Sequence, residues 1–96
     1  MKTVNVVNEA EIWKVKPGEL RTRSGEIVSF QADTGSQFIF PTTDLFGVPE
    51  IDVEKGHVIN LVVQNPNVGT YQYAVYCYEE GKFAIGGSYP RIIITV

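Results

Sequence analysis

Residues 67–78 read Asn-Val-Gly-Thr-Tyr-Gln-Tyr-Ala-Val-Tyr-Cys-Tyr. The cluster Asn65-Pro66-Asn67 just before them supplies turn residues, since Pro presets its own φ and Asn tolerates tight reversals. Tyr71 to Tyr78 then reads as a strand of aromatic and β-branched residues. Its period of two puts Tyr73, Val75 and Cys77 on one face and Gln72, Ala74, Tyr76 and Tyr78 on the other. The Asn-x-Gly-x-Tyr spacing ending at Tyr71 has the form of a tyrosine corner, in which the hydroxyl bonds back to the backbone and pins a Greek-key crossover. This stretch therefore indicates an all-β chain.

The same alternation extends in both directions. Val4 and Val6 alternate with Thr3 and Asn5, and Trp13 and Val15 alternate with Lys14 and Lys16 until Pro17-Gly18 breaks the run. Ser24-Gly25 turns into Glu26 to Phe30, and Phe38 to Phe40 form a dense apolar strand closed by Pro41. Ile51 and Val53 alternate with Glu50, Asp52 and Glu54, then Ile59, Leu61 and Val63 with Asn60 and Gln64. Arg91 to Val96 carries Ile92, Ile94 and Val96 on one side. Seven or eight short, mostly antiparallel strands at roughly 10-residue spacing imply a sandwich or barrel. The one helical signal is a single turn at Thr42 to Gly47, capped by a Thr and stopped by the glycine.

The chain has 96 residues, 44% of them hydrophobic and 20% charged, which suits a single domain over residues 1–96. A formal charge of −3 argues against nucleic-acid and anionic-membrane partners. One cysteine excludes an internal disulfide and a Cys-rich zinc site. Asn5, Asn8 and Glu9 interrupt any apolar stretch of the signal-peptide kind, so the expected location is cytoplasmic, unless a leader has been trimmed.

Several features in order resemble the cupredoxins, the plastocyanin and azurin group. Pro17, Gly25-Glu26, Val28 and Phe30 are similar to that family's opening pattern, and Gly56 with the following apolar alternation to its penultimate strand. Asn67-x-Gly69-x-Tyr71-x-Tyr73 and Cys77 resemble the strand that delivers the copper-binding cysteine, and Gly87 with the closing β-branched strand completes the likeness. The resemblance implies a cupredoxin-like Greek-key β-sandwich. It also implies a copper site of two histidines, a cysteine and usually a methionine. Counted from Cys77 by the family's Cys-x-x-His spacing, with Met five residues further, the second histidine position falls on Glu80 and the methionine position on Ile85. The first histidine position falls at Gln37 or Phe38. None of these is an imidazole or thioether, so no cofactor is expected. Gly69 to Cys77 is also two residues longer than the family spacing, which would put Val75 in the cysteine's place.

Cys77 reads first as a buried cysteine, and alternatively as a thiolate for copper handling or redox work. His57 stands alone and reads as a surface histidine. Glu50, Asp52 and Glu54 could hold a hard cation, but they lack a calcium loop and fit a solvated strand face that discourages edge pairing. Tyr76 and Tyr78, facing outward, suggest a recognition surface or a covering loop. Residues 79–90 form a long glycine-rich loop of the kind that often carries function. Gly86-Gly87-Ser88 within it is not a phosphate loop, because no Gly-Lys-Ser/Thr follows. No catalytic set emerges, and a hydrolase would need Asp44 or Glu80 perturbed in a cleft.

The expected function is thus a non-catalytic binding module on a scaffold that has lost its copper centre. The expected binding residues on one pole are Gln37, Phe38, Phe40, Phe46 and Tyr76. Tyr78, Glu80, Phe83, Ile85 and Tyr89 complete them. The expected partner is a protein or a second copy, reached through exposed aromatics or an open sheet edge.

Overall fold

A computed structural model describes residues 2–84 and 89–96. Eleven strands run through the described residues. They are β1 Lys2–Glu9, β2 Ile12–Lys16, β3 Glu19–Thr22, β4 Ile27–Ala32, β5 Ser36–Ile39 and β6 Glu50–Val53. The rest are β7 Val58–Val62, β8 Gly69–Gln72, β9 Ala74–Cys77, β10 Lys82–Phe83 and β11 Arg91–Ile94. They form sheets in the orders β2-β1-β4-β7, β10-β9-β5-β6 and β3-β11-β8. Two pairings are parallel, β1 with β4 and β11 with β3, and the others are antiparallel. The all-β sandwich expected from the alternation is the observed fold. No helix among the described residues is long and apolar enough to cross a membrane.

Eleven strands exceed the expected seven or eight for three local reasons. The run Tyr71 to Tyr78 is two strands, because the chain changes sheets at Tyr73, whose N–H bonds the Pro90 carbonyl at 3.0 Å. Glu19–Thr22 alternates weakly, with Leu20 and Thr22 inward, and is held by its parallel register with β11. In the loop expected over 79–90, the described residues 79–84 fold back on β9. Gly81 takes φ +64°, and Ala84 N–H reaches the Val75 carbonyl at 2.8 Å, so Lys82 and Phe83 pair with β9. The expected turn at Thr42–Gly47 is present. Thr42 Oγ1 accepts from the Asp44 N–H at 3.2 Å, Gly47 N–H donates to the Thr43 carbonyl at 2.7 Å, and Gly47 has φ +82°.

The sandwich closes on an apolar core that positions everything outside it. Phe30 on β4 meets Phe38, Phe40 and Phe46 edge-on at centroid distances of 5.1, 5.7 and 5.3 Å. Val4, Val6, Val28, Val75, Ile92 and Ile94 fill the remainder. The tyrosine corner forms as read: the Tyr71 hydroxyl donates to the Asn67 carbonyl at 2.6 Å.

Candidate functional site

The β9 alternation survives the change of sheet, so its two faces can be taken in turn. Inward, Tyr73, Val75 and Cys77 are all buried. Phe38 is fully buried and Phe46 nearly so, and Phe40 is buried with them, so these rings build the core and not the expected surface. A run such as Phe38-Ile39-Phe40 hides which face is inward, since every residue is apolar. Ile39 is the one that faces out, at 36% exposure.

Cys77 is opposite Ser36 in the β5–β9 register, with Sγ 3.9 Å from Ser36 Oγ. Burial pushes its thiol pKa up, and the nearby Glu80 adds to that, while the Ser36 hydroxyl opposes it. The sulfur is thus kept as a thiol, the reverse of what a reactive cysteine needs. Among the described residues the buried hydroxyl of Tyr73 has no hydrogen-bond partner, and burial pushes its pKa up as well.

On the outer side of the same sheet, the register sets Phe83, Tyr76, Gln37 and Asp52 in one row across β10, β9, β5 and β6. Ala74, Ile39 and Glu50 form the row beside it. Tyr76 is the centre of an aromatic group, with Phe83 at 5.2 Å and Tyr78 at 5.9 Å, both edge-on. Tyr78 and Phe83 are each 51% exposed. The Tyr78 hydroxyl donates to Asp52, and Gln37 Nε2 donates to Glu50. The bond to Asp52, with smaller contributions from burial and from the charges of Asp52 and Glu50, pushes the Tyr78 phenol up to about 12.

No Lys or Arg occupies these two rows. The ion pairs made by Lys and Arg lie elsewhere, on Glu9, Glu19 and Glu26. Tyr76, Tyr78, Phe83 and Gln37 therefore come together as one surface, edged by Glu50 and Asp52. The role of Asp52 and Glu50 in holding this face was not legible in the sequence, which showed them only as an acidic strand.

The other expected residues are elsewhere. Glu80 is exposed in the turn after β9, and Ile85 lies outside the described residues, as does the Gly86-Gly87-Ser88 stretch. Tyr89, 66% exposed, lines a shallow cleft with Ile39, Phe40, Pro41, Gln72, Tyr73 and Ala74, which holds no carboxylate, imidazole or thiol. Asp44 is exposed in the Thr42–Gly47 turn. His57 is exposed and stands 3.6 Å from Glu54. Among the described residues no group of three or more His, Cys, Asp or Glu side chains could hold a metal ion.

No protein-family profile matches the chain, and no curated protein matches it by sequence. Solved structures do. A purple cupredoxin from Nitrosopumilus maritimus superposes with a TM-score of 0.63 at 13% identity, over 99% of this chain and 100% of that one. A reduced amicyanin variant gives 0.60 at 16% identity, over 98% of this chain and 81% of that one. A pseudoazurin from Sinorhizobium meliltoi gives 0.59 at 16% identity, over 99% and 73%.

The chain has the cupredoxin fold.

Of the two residues at the first histidine position, Phe38 is the Cα partner of Val75 and Gln37 that of Tyr76, and Cys77 is opposite Ser36. With Val75 in the cysteine's place, the second histidine position falls on Tyr78 and the methionine position on Phe83. A shell of Phe38, Val75, Tyr78 and Phe83 offers no imidazole, thiolate or thioether, and the count from Cys77 offers one thiol without an imidazole, so neither set fits the copper site that the resemblance implies. Phe38 and Val75 are buried in the core, and Tyr78 and Phe83 belong to the outer aromatic group.

Proposed function

We infer that this cupredoxin-fold chain is a non-catalytic binding module whose working surface is the outer face of the β10-β9-β5-β6 sheet. The observation that carries the reading is the accessible Tyr76–Tyr78–Phe83 group beside Glu50 and Asp52, with no cation on the same rows. Such a face fits a partner protein that presents Lys or Arg side chains. Aromatic rings attract a cation laid over them, the carboxylates add attraction, and tyrosine supplies rigid area at little entropic cost. The buried, protonated Cys77 supports the same reading over thiol-redox or copper chemistry.

The test is a titration of the protein, followed by NMR, with an Arg/Lys-rich peptide and with an acidic peptide of equal length. The basic peptide is expected to shift the signals of Tyr76, Tyr78, Phe83 and Gln37, and to bind more weakly as salt rises. Tyr76→Ala is expected to remove the effect. Equal response to both peptides, or shifts confined to another face, would overturn the assignment.

A further inference from the structure

Each of the three sheets has two outer strands, and the chemistry of these edges is unequal. β2 carries Lys14 and Lys16, both ion-paired to Glu9. β6 carries Glu50 and Asp52, and β3 carries Glu19 and Arg21. β10 is two residues long, and β8 opens with Gly69 and is tied at Tyr71. Charge, shortness and turns of this kind are what keep open edges from pairing with other chains. β7 has none of them. It reads Val58-Ile59-Asn60-Leu61-Val62, five residues without a charge, a proline or a glycine.

The backbone of β7 is also oriented for pairing. Val63 N–H donates to the Glu26 carbonyl at 2.9 Å, just beyond the Ile27↔Val62 register. The antiparallel alternation then gives the β4 bonds to residues 59, 61 and 63, and turns the main-chain groups of Val58, Asn60 and Val62 to the open side. Among the described residues the Val62 carbonyl meets a side-chain amide there, the Gln64 Nε2 at 3.1 Å. The open side is covered just beyond it, where the Gln64 N–H donates to the Leu45 carbonyl at 2.8 Å. Val58 and Val62 are 52% and 46% exposed, and Ile27, opposite Val62 on β4, is 42% exposed.

The order of residues names the occupant. Read backwards, Val-Ile-Asn-Leu-Val becomes Val-Leu-Asn-Ile-Val, the same pattern of shapes and polarity. We propose that β7 pairs antiparallel with β7 of a second copy about a twofold axis at Asn60, joining two four-stranded sheets into one. Val58 then faces Val62 of the second copy, Ile59 faces Leu61, and Asn60 faces Asn60, with side chains of like kind on each face. About six backbone hydrogen bonds form, two at each of the pairs centred on 58, 60 and 62. Asn60 Oδ1 already accepts from the Ser29 hydroxyl, which leaves its Nδ2 to donate across the axis. This interface lies on the sheet that does not contain the aromatic face, so it stands whether or not a basic partner binds there.

Sedimentation equilibrium over a wide concentration range tests it on three proteins: the unaltered chain, Val58→Lys/Val62→Lys, and Val58→Lys/Val62→Glu. The unaltered chain is expected to reach twice its monomer mass at high concentration. The double-lysine variant, with lysines opposed at both outer pairs, is expected to stay monomeric. The lysine/glutamate variant is expected to recover the dimer, because each introduced lysine faces an introduced glutamate of the other copy. Amide hydrogen exchange on the unaltered chain gives an independent readout that needs no variant. The amides of Val58, Asn60 and Val62 are expected to gain protection with concentration, while those of β2 do not. A monomer at every concentration, a dimer that persists in the double-lysine variant, failure of the lysine/glutamate variant to recover, or exchange independent of concentration would each overturn the proposal.

Discussion

On the inner side of the β10-β9-β5-β6 sheet, Phe38 and Tyr73 stack at 6.4 Å out of reach of water, while on the outer side Tyr76 and Phe83 meet at 5.2 Å and Phe83 remains half exposed. The inner rings are surrounded by other apolar side chains, and their value is the area removed from water. The outer rings adjoin carboxylates and amides, and one of them, Tyr78, has its hydroxyl fixed by Asp52. The same residue types thus build the core on one face and an accessible aromatic group on the other. Aromatic content alone does not distinguish the two settings, whereas exposure and the carboxylates of Glu50 and Asp52 beside the outer rings do.

Substitutions can break that division. The largest effect is expected from Phe38→Ala, which leaves a cavity under Phe30 and should cost about 3–5 kcal/mol in a denaturant titration. Tyr71→Phe, at the corner where the chain enters the β8–β9 segment, removes one hydrogen bond and should cost about 1 kcal/mol by the same measurement. Tyr76→Ala is expected to change stability by no more than about 1 kcal/mol, since the ring is half-buried at the surface, yet to abolish binding of a basic peptide. A loss of stability as large as that of Phe38→Ala would place Tyr76 with the core and dissolve the contrast.

Asp52→Asn weakens the hold on the Tyr78 hydroxyl without removing a ring. The folded Tyr78 phenol is raised to about 12 from 10.0, so the Asp52 bond favours the folded state below pH 10 and the benefit is lost as pH rises through about 12. The substitution should bring the Tyr78 titration back toward 10.0 in ultraviolet absorbance, with Tyr78→Phe identifying the signal.

The smallest effect belongs to the ion-paired side of the molecule. Glu9 is lowered below 4.5 first of all by its bond to Lys16. For Glu26, burial pulls upward, but Lys2 and the Arg23 N–H prevail and lower it too. Their contribution is complete above pH 4.5 and disappears as pH falls through the lowered values. Thermal melts should therefore decline modestly below pH 4.5, and less so at high salt.

Much of this arrangement is written in local sequence. The Gly69-x-Tyr71 spacing announces the corner, and the period of two correctly turns Tyr76 and Tyr78 outward and Cys77 inward. What the sequence hides are matters of long-range registry. Phe38 and Phe46 sit in stretches where the neighbouring residue is equally apolar, so only packing against Phe30 shows which ring is inside. The β1–β2 hairpin is also silent, because its turn uses Ala10 and Glu11 at φ 52° and 67° in place of the usual Asn-Gly. The partnership of Tyr78 with Asp52 joins residues 26 positions apart, beyond any motif.

The order β3-β11-β8 has a consequence for how the chain comes to be folded during synthesis. β11 lies between the other two strands, bonded to β3 in parallel and to β8 antiparallel. Neither neighbour bonds to the other, so the sheet has no nucleus until residue 94 is free of the ribosome. Glu19 and Leu20 must wait for partners more than seventy positions later, as the Arg91–Glu19 ion pair at a separation of 72 shows. Closure of so long a loop places this chain among slow, topology-limited folders, in the range of roughly milliseconds to seconds. Until then Leu20 and Tyr71 lack the strand that covers them, and apolar surface exposed in that interval is what makes a partly folded chain prone to aggregate.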